Sequence, residues 1–423
     1  MEPTGPLSRF FWVHWHRNDA SASLRWVLSV FLMFALFPGI GSGGSVMFIG
    51  LWLFAVLYWI FDPACRILNT TERTLVAVCA AYFLITAGFA IAHGFATDWQ
   101  AKLGSVYSNV PFLLFAPVLP VLRRWARPDW FSWVFAGIAA GAVCAVLIML
   151  IGGRYSIEIQ RAAFSGNPLI LALGAMVSGL LCVHGLLFFK GKMRWLMAAG
   201  ALASLYALLN TGSRGALLSY CLTLAAYGLI MGYRYLGFGY MAKRALISAA
   251  LVGVVGFAVI QNDNYLSQRF ELAIQRFENP TGEQVAEESI YMRLALYKVA
   301  MNAILERPLS GYGRQNVMRV AWAGDAKNAP RFSYTHLHNG YLTDTVASGV
   351  LGLFSLLGVL LVPLFVLRNA QPIVFGGVLC VSVSYGLYGM TNLLFYHDVS
   401  TFLFLGLMCT FSALAMLPEP DSG

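Results

Sequence analysis

Residues 339–367 read NGYLTDTVASGVLGLFSLLGVLLVPLFVL, and a single formal charge, Asp344, interrupts the run. A helix of about 20 apolar residues crosses a hydrocarbon core. Comparable apolar blocks recur near 24–38, 45–61, 74–92, 103–122, 130–152, 168–189, 193–210, 213–231, 244–261, 372–395 and 398–417. They are too long for barrel strands, and lipid offers no partner for open backbone groups, so each is expected to be a helix. The expectation is an all-α polytopic membrane protein with about twelve transmembrane helices. Composition agrees. Of 423 residues, 59% are hydrophobic, 14% aromatic and only 11% charged, and mean hydropathy is +0.69. A soluble domain carries roughly 25% charged residues, so this chain has too little polar surface for water. GIGSGG follows the first block with no clear small-x-small cleavage site, and eleven spans come after it. That block is therefore expected to be a retained helix, not a signal peptide.

Basic residues set the orientation. One side of the membrane is expected to hold fifteen: Arg9, Arg17, Arg25, Arg66, Arg73, Arg123, Arg124, Arg127, Lys190, Lys192, Arg194, Arg234, Lys243, Arg244 and Arg368. The short loops opposite hold four: Lys102, Arg154, Arg161 and Arg214. Both termini are therefore expected in the cytoplasm. The net charge of +9 is mostly topology charge beside lipid headgroups and calls for no nucleic acid.

Residues 262–338 form a 77-residue loop on the outer face, far longer than an ordinary connection. Its nine basic and eight acidic side chains nearly cancel. In NYLSQRFELAIQRF, Leu266, Phe270, Ala273, Ile274 and Phe277 share one helical face. A second helix is predicted from Ser289, after Glu287 and Glu288, to about Arg307, closed by Pro308, Gly311 and Gly313. Two amphipathic helices beside a membrane point either to a cap over an outer site or to a loop packed on the bundle. The seven cysteines avoid this loop, and they form neither a disulfide framework nor a CxxC metal signature.

The remaining polar groups are the candidates for chemistry. Arg161, in RYSIEIQRAAFSGNPL, and Arg214, in TGSRG, oppose the positive-inside bias. TGSRG puts an arginine among small residues at a helix start, where an anion is favoured. The alternative for Arg214 is snorkelling to the headgroups. Arg293 shares a helical face with Tyr297, Ala300 and Ile304, and either points under the cap or pairs with Glu287 or Glu288. Arg314, in GYGRQN, either grips an oxyanion or lies in a solvated turn. His338 stands at the start of the span 339–367, with Asn339 and Tyr341 beside it. An imidazole there is either a proton acceptor or a polar anchor. His336 completes an HxH pair, but no neighbouring carboxylates or cysteines fill out a metal's ligands. Asp344, His397 and Asp398 are polar groups in costly positions. Asp344 reads best as a helix–helix hydrogen bond.

Three stretches together carry a resemblance: TGSRG at 211–215, RLALYKVAMNAILERPLSGYG at 293–313 and HLHNGYLTDTVASGVLGLF at 336–354. The chain resembles the O-antigen ligase and polymerase superfamily of bacterial envelopes. The most specific element is an HN-x-x-L-x6-G-x-x-G-L pattern met by His338, Asn339, Leu342, Gly349, Gly352 and Leu353. The resemblance implies a GT-C-like helical membrane fold in the bacterial inner membrane and a metal-independent, cofactor-free glycosyltransferase. Its donor would be a glycan on undecaprenyl pyrophosphate and, in the ligase branch, its acceptor a sugar hydroxyl of lipid A–core. By that analogy His338 would be the general base. Arg161 and Arg214 would hold the donor diphosphate, with Arg293 a further candidate and Asn339, Tyr297, Arg314, His336 and Asp398 in support.

Elementary chemistry is consistent with this. A polyprenyl diphosphate is already an activated leaving group, so no nucleotide loop is needed. Its departing charge requires cations, and guanidinium forks match phosphate oxygens. The acceptor hydroxyl must lose a proton, a task suited to imidazole. With no paired carboxylates for a covalent route, direct attack would invert the anomeric carbon. Three alternatives stay open: an O-antigen polymerase, a protein O-oligosaccharyltransferase, and a lipid-glycan transporter or flippase. The ending LPEPDSG, just after the last span, counts against the second. Unlike halves and charges gathered at the outer face count against the third.

Overall fold

The computed structural model describes residues 19–35, 43–93, 99–151, 167–236, 288–324 and 336–417. All regular structure among them is helical. The helices are α1 (Asp19–Ala35), α2 (Gly43–Phe61), α3 (Thr70–Ala92), α4 (Trp99–Tyr107), α5 (Pro111–Leu114), α6 (Val118–Trp125), α7 (Trp130–Ile151) and α8 (Pro168–Phe188). They continue as α9 (Gly191–Asn210), α10 (Arg214–Met231), α11 (Glu288–Glu306), α12 (Val317–Gly324), α13 (Gly340–Val366), α14 (Pro372–Tyr388) and α15 (Asp398–Leu414).

Seven helical stretches among the described residues are long and apolar enough to cross a membrane: Gly43–Phe61, Thr70–Ala92, Lys102–Trp125, Trp130–Leu147, Pro168–Phe188, Arg214–Tyr235 and Gly340–Val366. The expected spans at 24–38, 193–210, 372–395 and 398–417 are also helical, but shorter or less apolar. The expected span 244–261 and the first loop helix, at 264–277, lie outside the described residues. The expected span at 103–122 is present as the stretch Lys102–Trp125, with its helix interrupted between α4, α5 and α6. Pro111 opens α5 and Pro117 stands at the N-cap of α6, so each restart falls at a residue without a backbone donor. The span expected over 372–395 stops at Tyr388, and residues 389–397 form a turn.

The helices pack around a continuous apolar core, with α8 at its centre and α7, α9, α10 and α14 against it. Close approach depends on small residues, as is usual where lipid gives no hydrophobic drive. A Cβ on Gly200 would lie 2.7 Å from Cys182 Sγ and 2.9 Å from Ala139 Cβ. On the outside, Leu53, Leu84, Leu147, Leu202, Leu218, Phe354 and Phe365 are exposed, as lipid-facing residues should be.

The helix α3 relates the two ends of the bundle. It starts with a capping box: Asn69 and Glu72 each accept the other's backbone N–H at 2.8 Å, and Arg123 Nε donates to Glu72 Oε1 at 2.7 Å. Arg124 pairs with Asp62 nearby, and Arg25 with Asp129. About 35 Å away by helical rise, the other end of α3 accepts Gln315 Nε2 at Ala90 O (2.8 Å) and Asn316 Nδ2 at His93 O (3.0 Å).

That far end carries a second, smaller core. Leu296, Val299, Ala300 and Ala303 of α11 meet Val317, Met318 and Ala321 of α12, together with Leu337, Val346 and Ala347. The predicted helix Ser289–Arg307 is observed as α11, with Tyr297 and Ile304 packed on this cluster.

Candidate active site

The geometry of the far end begins with a break in α13. Ser348 (φ −132°, ψ 19°) and Gly349 (φ 62°, ψ −163°) leave the helical region. The carbonyls freed there do not remain open. Tyr312 N–H donates to Val346 O (2.9 Å) and Gly313 N–H to Ala347 O (2.8 Å), while Val350 N–H donates to Pro308 O (2.8 Å). The PLSGYG turn is thus stitched into the break. Gly349 needs its positive φ, and a Cβ on it would lie 2.3 Å from Leu309 O. A Cβ on Gly311 would lie 2.6 Å from the Ala347 carbonyl carbon. The stitching anchors the turn to the break, with α11, carrying Arg293 and Tyr297, just before it in the chain and Arg314 just after it.

His338 precedes α13 in a left-handed conformation, φ +52°, and is the one non-glycine with positive φ among the described residues. For an L-residue that costs about 1 kcal/mol. Surrounding bonds hold it there. Tyr297 Oη donates to His338 O at 3.0 Å, and Asn339 Oδ1 caps α13 by accepting Leu342 N–H at 3.0 Å. Asn339 Nδ2 reaches Met390 O at 3.0 Å, and Gly340 N–H donates to Gly389 O (2.8 Å) and Asn392 O (2.9 Å). His336 and His338 lie together, ring centroids 4.3 Å apart. Burial, then His336 and Arg293, push His338 down to about 3. Burial, then Arg314 and Arg293, push His336 to about 4. Both rings are therefore neutral at physiological pH, and both feel the charge of Arg293.

Arg214 opens α10. Gly212 has φ +60°, Thr211 Oγ1 accepts Ser213 N–H at 3.2 Å, and the N-cap Ser213 makes no side-chain cap. A Cβ on Gly215 would meet Thr391 Oγ1 at 2.4 Å. TGSRG and HLHNG, more than a hundred residues apart in sequence, therefore abut one turn, Gly389–Asn392, between α14 and α15. Arg161 lies outside the described residues.

A second polar group lies beside this turn. Asp344, 1% exposed, accepts Tyr82 Oη at 2.8 Å on one carboxylate oxygen and Tyr396 Oη on the other. The expected helix–helix hydrogen bond is thus present, from α13 to Tyr82 of α3. Arg314 lies against the Tyr396 ring. Asp398 is engaged elsewhere: it accepts Ser45 Oγ at 2.6 Å and lies 3.0 Å from His397 Nδ1, tying the start of α15 to that of α2. Sequence reasoning singled out neither Tyr82 nor Tyr396. Nothing marks either among the nineteen tyrosines of this chain. The helix break was not read from the sequence either, although Gly349, on which it turns, belongs to the HN-x-x-L-x6-G-x-x-G-L pattern.

Two comparisons with known proteins bear on this end of the molecule. A family model described as O-antigen ligase matches residues 199–357. That interval holds TGSRG, α11, the PLSGYG turn and the HN pattern. The chain is also similar to the O-antigen ligase of Escherichia coli (strain K12), at 27% identity over 206 residues. The match covers 47% of this chain and 48% of the relative, so it spans about half the length of each.

Proposed function

We propose that this member of the O-antigen ligase family transfers a glycan from undecaprenyl pyrophosphate to a sugar hydroxyl of lipid A–core, at the periplasmic face of the bacterial inner membrane. The observation that carries the reading is convergence: the HLHNG and TGSRG motifs meet on the turn Gly389–Asn392, with Arg293 close enough to act on the His338 ring.

The chemistry follows from these groups. The acceptor O–H bond gives its proton to the neutral imidazole of His338, and its oxygen attacks the anomeric carbon. The bond from that carbon to the diphosphate oxygen breaks on the opposite face, with inversion. Undecaprenyl pyrophosphate leaves with the electron pair, its charge met by Arg214, Arg161 and Arg293. A base held near 3 is weak in the empty site. A bound diphosphate places negative charge beside it and raises its proton affinity, so the base strengthens when donor arrives. Tyr297 and Asn339 hold the His338 backbone and act on position.

Reconstitution tests the reading. Purified protein in liposomes receives lipid-linked glycan and one of three acceptors: lipid A–core, a second lipid-linked repeat, or a peptide. Ligated lipopolysaccharide is expected. Chain extension or glycopeptide as the sole product contradicts the acceptor assignment, and glycan translocation without a new bond contradicts the enzyme reading. Arg214→Ala should weaken donor use much more than Arg214→Lys. Undiminished activity of both removes Arg214 from the site.

A further inference from the structure

We propose that Arg314 is a further phosphate-binding residue of this site, and that Asp344 positions it through Tyr396. The ligand class, a phosphate of the lipid-linked donor, rests on the reading above.

The backbone of Arg314 is held from both sides. Gly313, at φ +76°, is bonded to the broken α13 through Ala347 O, and Asn316 N–H closes a tight turn onto Gly313 O at 3.1 Å. Gln315 and Asn316 pin the same turn to the end of α3. Nothing here resembles a solvated loop, which was the alternative left open by sequence.

The side chain is placed with equal care but is not consumed. It lies against the ring of Tyr396. Tyr396 is itself fixed because its hydroxyl donates to Asp344. If Arg314 served only as counter-ion to Asp344, the fork would be expected to pair with the carboxylate directly. Instead the two carboxylate oxygens receive the hydroxyls of Tyr82 and Tyr396. Arg314 Nη1 is left buried with no acceptor among the described residues. A buried charged donor without an acceptor is costly, and an oxyanion is its complement. Arg314 is still cationic at neutral pH, since burial brings it down only to about 9 while Asp344 and Tyr82 support the charge. Its charge reaches His336, which also feels Arg293. The histidine pair therefore stands within the field of two arginines carried on opposite flanks of the PLSGYG turn.

The test uses the full chain in nanodiscs with inorganic pyrophosphate as probe, followed by calorimetry at pH 7. Arg314→Gln should weaken binding by about tenfold or more, and Arg314→Lys by less. If Arg314→Gln does not fold, Tyr396→Phe provides the second route, since it keeps the ring and removes only the bond to Asp344. In transfer assays Asp344→Asn and Tyr396→Phe should raise KM for the donor several-fold while kcat holds. A fall in kcat at unchanged KM would overturn the positioning role. Wild-type affinity in Arg314→Gln, with affinity lost in Arg214→Gln, overturns this inference and leaves the functional reading intact. If wild-type protein does not bind pyrophosphate, the donor reading fails and this inference falls with it.

Discussion

His184 and His338 are both buried, yet the molecule treats them in opposite ways. His184 sits in the middle of α8, 0% exposed, with both ring nitrogens committed. Its Nε2 donates to Ile373 O at 2.7 Å, which fixes the tautomer, and Nδ1 then accepts Tyr227 Oη at 2.6 Å. Gly376 makes room for it, since a Cβ there would lie 2.4 Å from the imidazole Cε1. This imidazole is a strut between α8, α10 and α14. His338 is held by its backbone: a left-handed φ, a carbonyl bonded to Tyr297, and a following cap. In the bundle interior polar atoms are spent on packing. At the mouth backbone strain is tolerated and charge is concentrated around two neutral rings, the pattern expected where function opposes stability.

The largest effect should come from breaking the mouth itself. Gly349→Ala places a methyl 2.3 Å from Leu309 O in a conformation unsuited to alanine. A cost of more than about 2 kcal/mol is expected, seen as a lower thermal midpoint together with loss of transfer. Unchanged values for both would mean that the PLSGYG turn does not build the site.

His184→Ala should separate the two regions in the other direction. It strands Tyr227 Oη in an apolar interior, at about 1–3 kcal/mol. Thermal denaturation should register that loss, while transfer per folded molecule stays as in wild type. A selective loss of transfer would erase the distinction between strut and site.

These contrasts were unevenly legible in the sequence. The apolar blocks gave the helices, and α11 matches the predicted 289–307 within a residue at each end, because periodicity and the Pro308 stop act locally. Asp344 was readable as a helix–helix bond because a carboxylate inside a span needs a partner. Which partner it takes depends on tertiary approach, so Tyr82 and Tyr396 stayed hidden. The break at Ser348–Gly349 was equally hidden, because an apolar run looks continuous whether or not another segment supplies its missing hydrogen bonds. Tyr297 was placed correctly on the face of Arg293, but its bond to His338 O joins residues 41 apart in sequence.

Tyr297→Phe is a gentler probe of the mouth. It removes one hydrogen bond to His338 O, worth about 1 kcal/mol, and should lower kcat about threefold to fivefold with little change in melting. No change in kcat would show that the His338 backbone is held without it.

The smallest effect is in pH dependence. His338 and His336 are depressed to about 3 and 4, so kcat/KM should show no histidine limb from about pH 8 down to about pH 5. Activity should then fall as the rings protonate. The limb in kcat should lie higher than that in kcat/KM, because bound diphosphate favours the imidazolium. The depressed values also mean that the unfolded chain binds more protons below its ordinary histidine pKa of about 6.5. Native stability should accordingly decline as pH falls through about 6.5 toward 4. A free-enzyme limb between pH 6 and 7 would contradict the buried, cation-flanked setting.

His338 is proposed to take the acceptor proton. This role is tested most directly with His338→Ala in liposomes holding lipid-linked glycan and lipid A–core, at wild-type abundance, melting temperature and pyrophosphate affinity. Transfer is expected to fall by about 10²–10⁴-fold, with donor bound and unconsumed. Ligated product at the wild-type rate would contradict it.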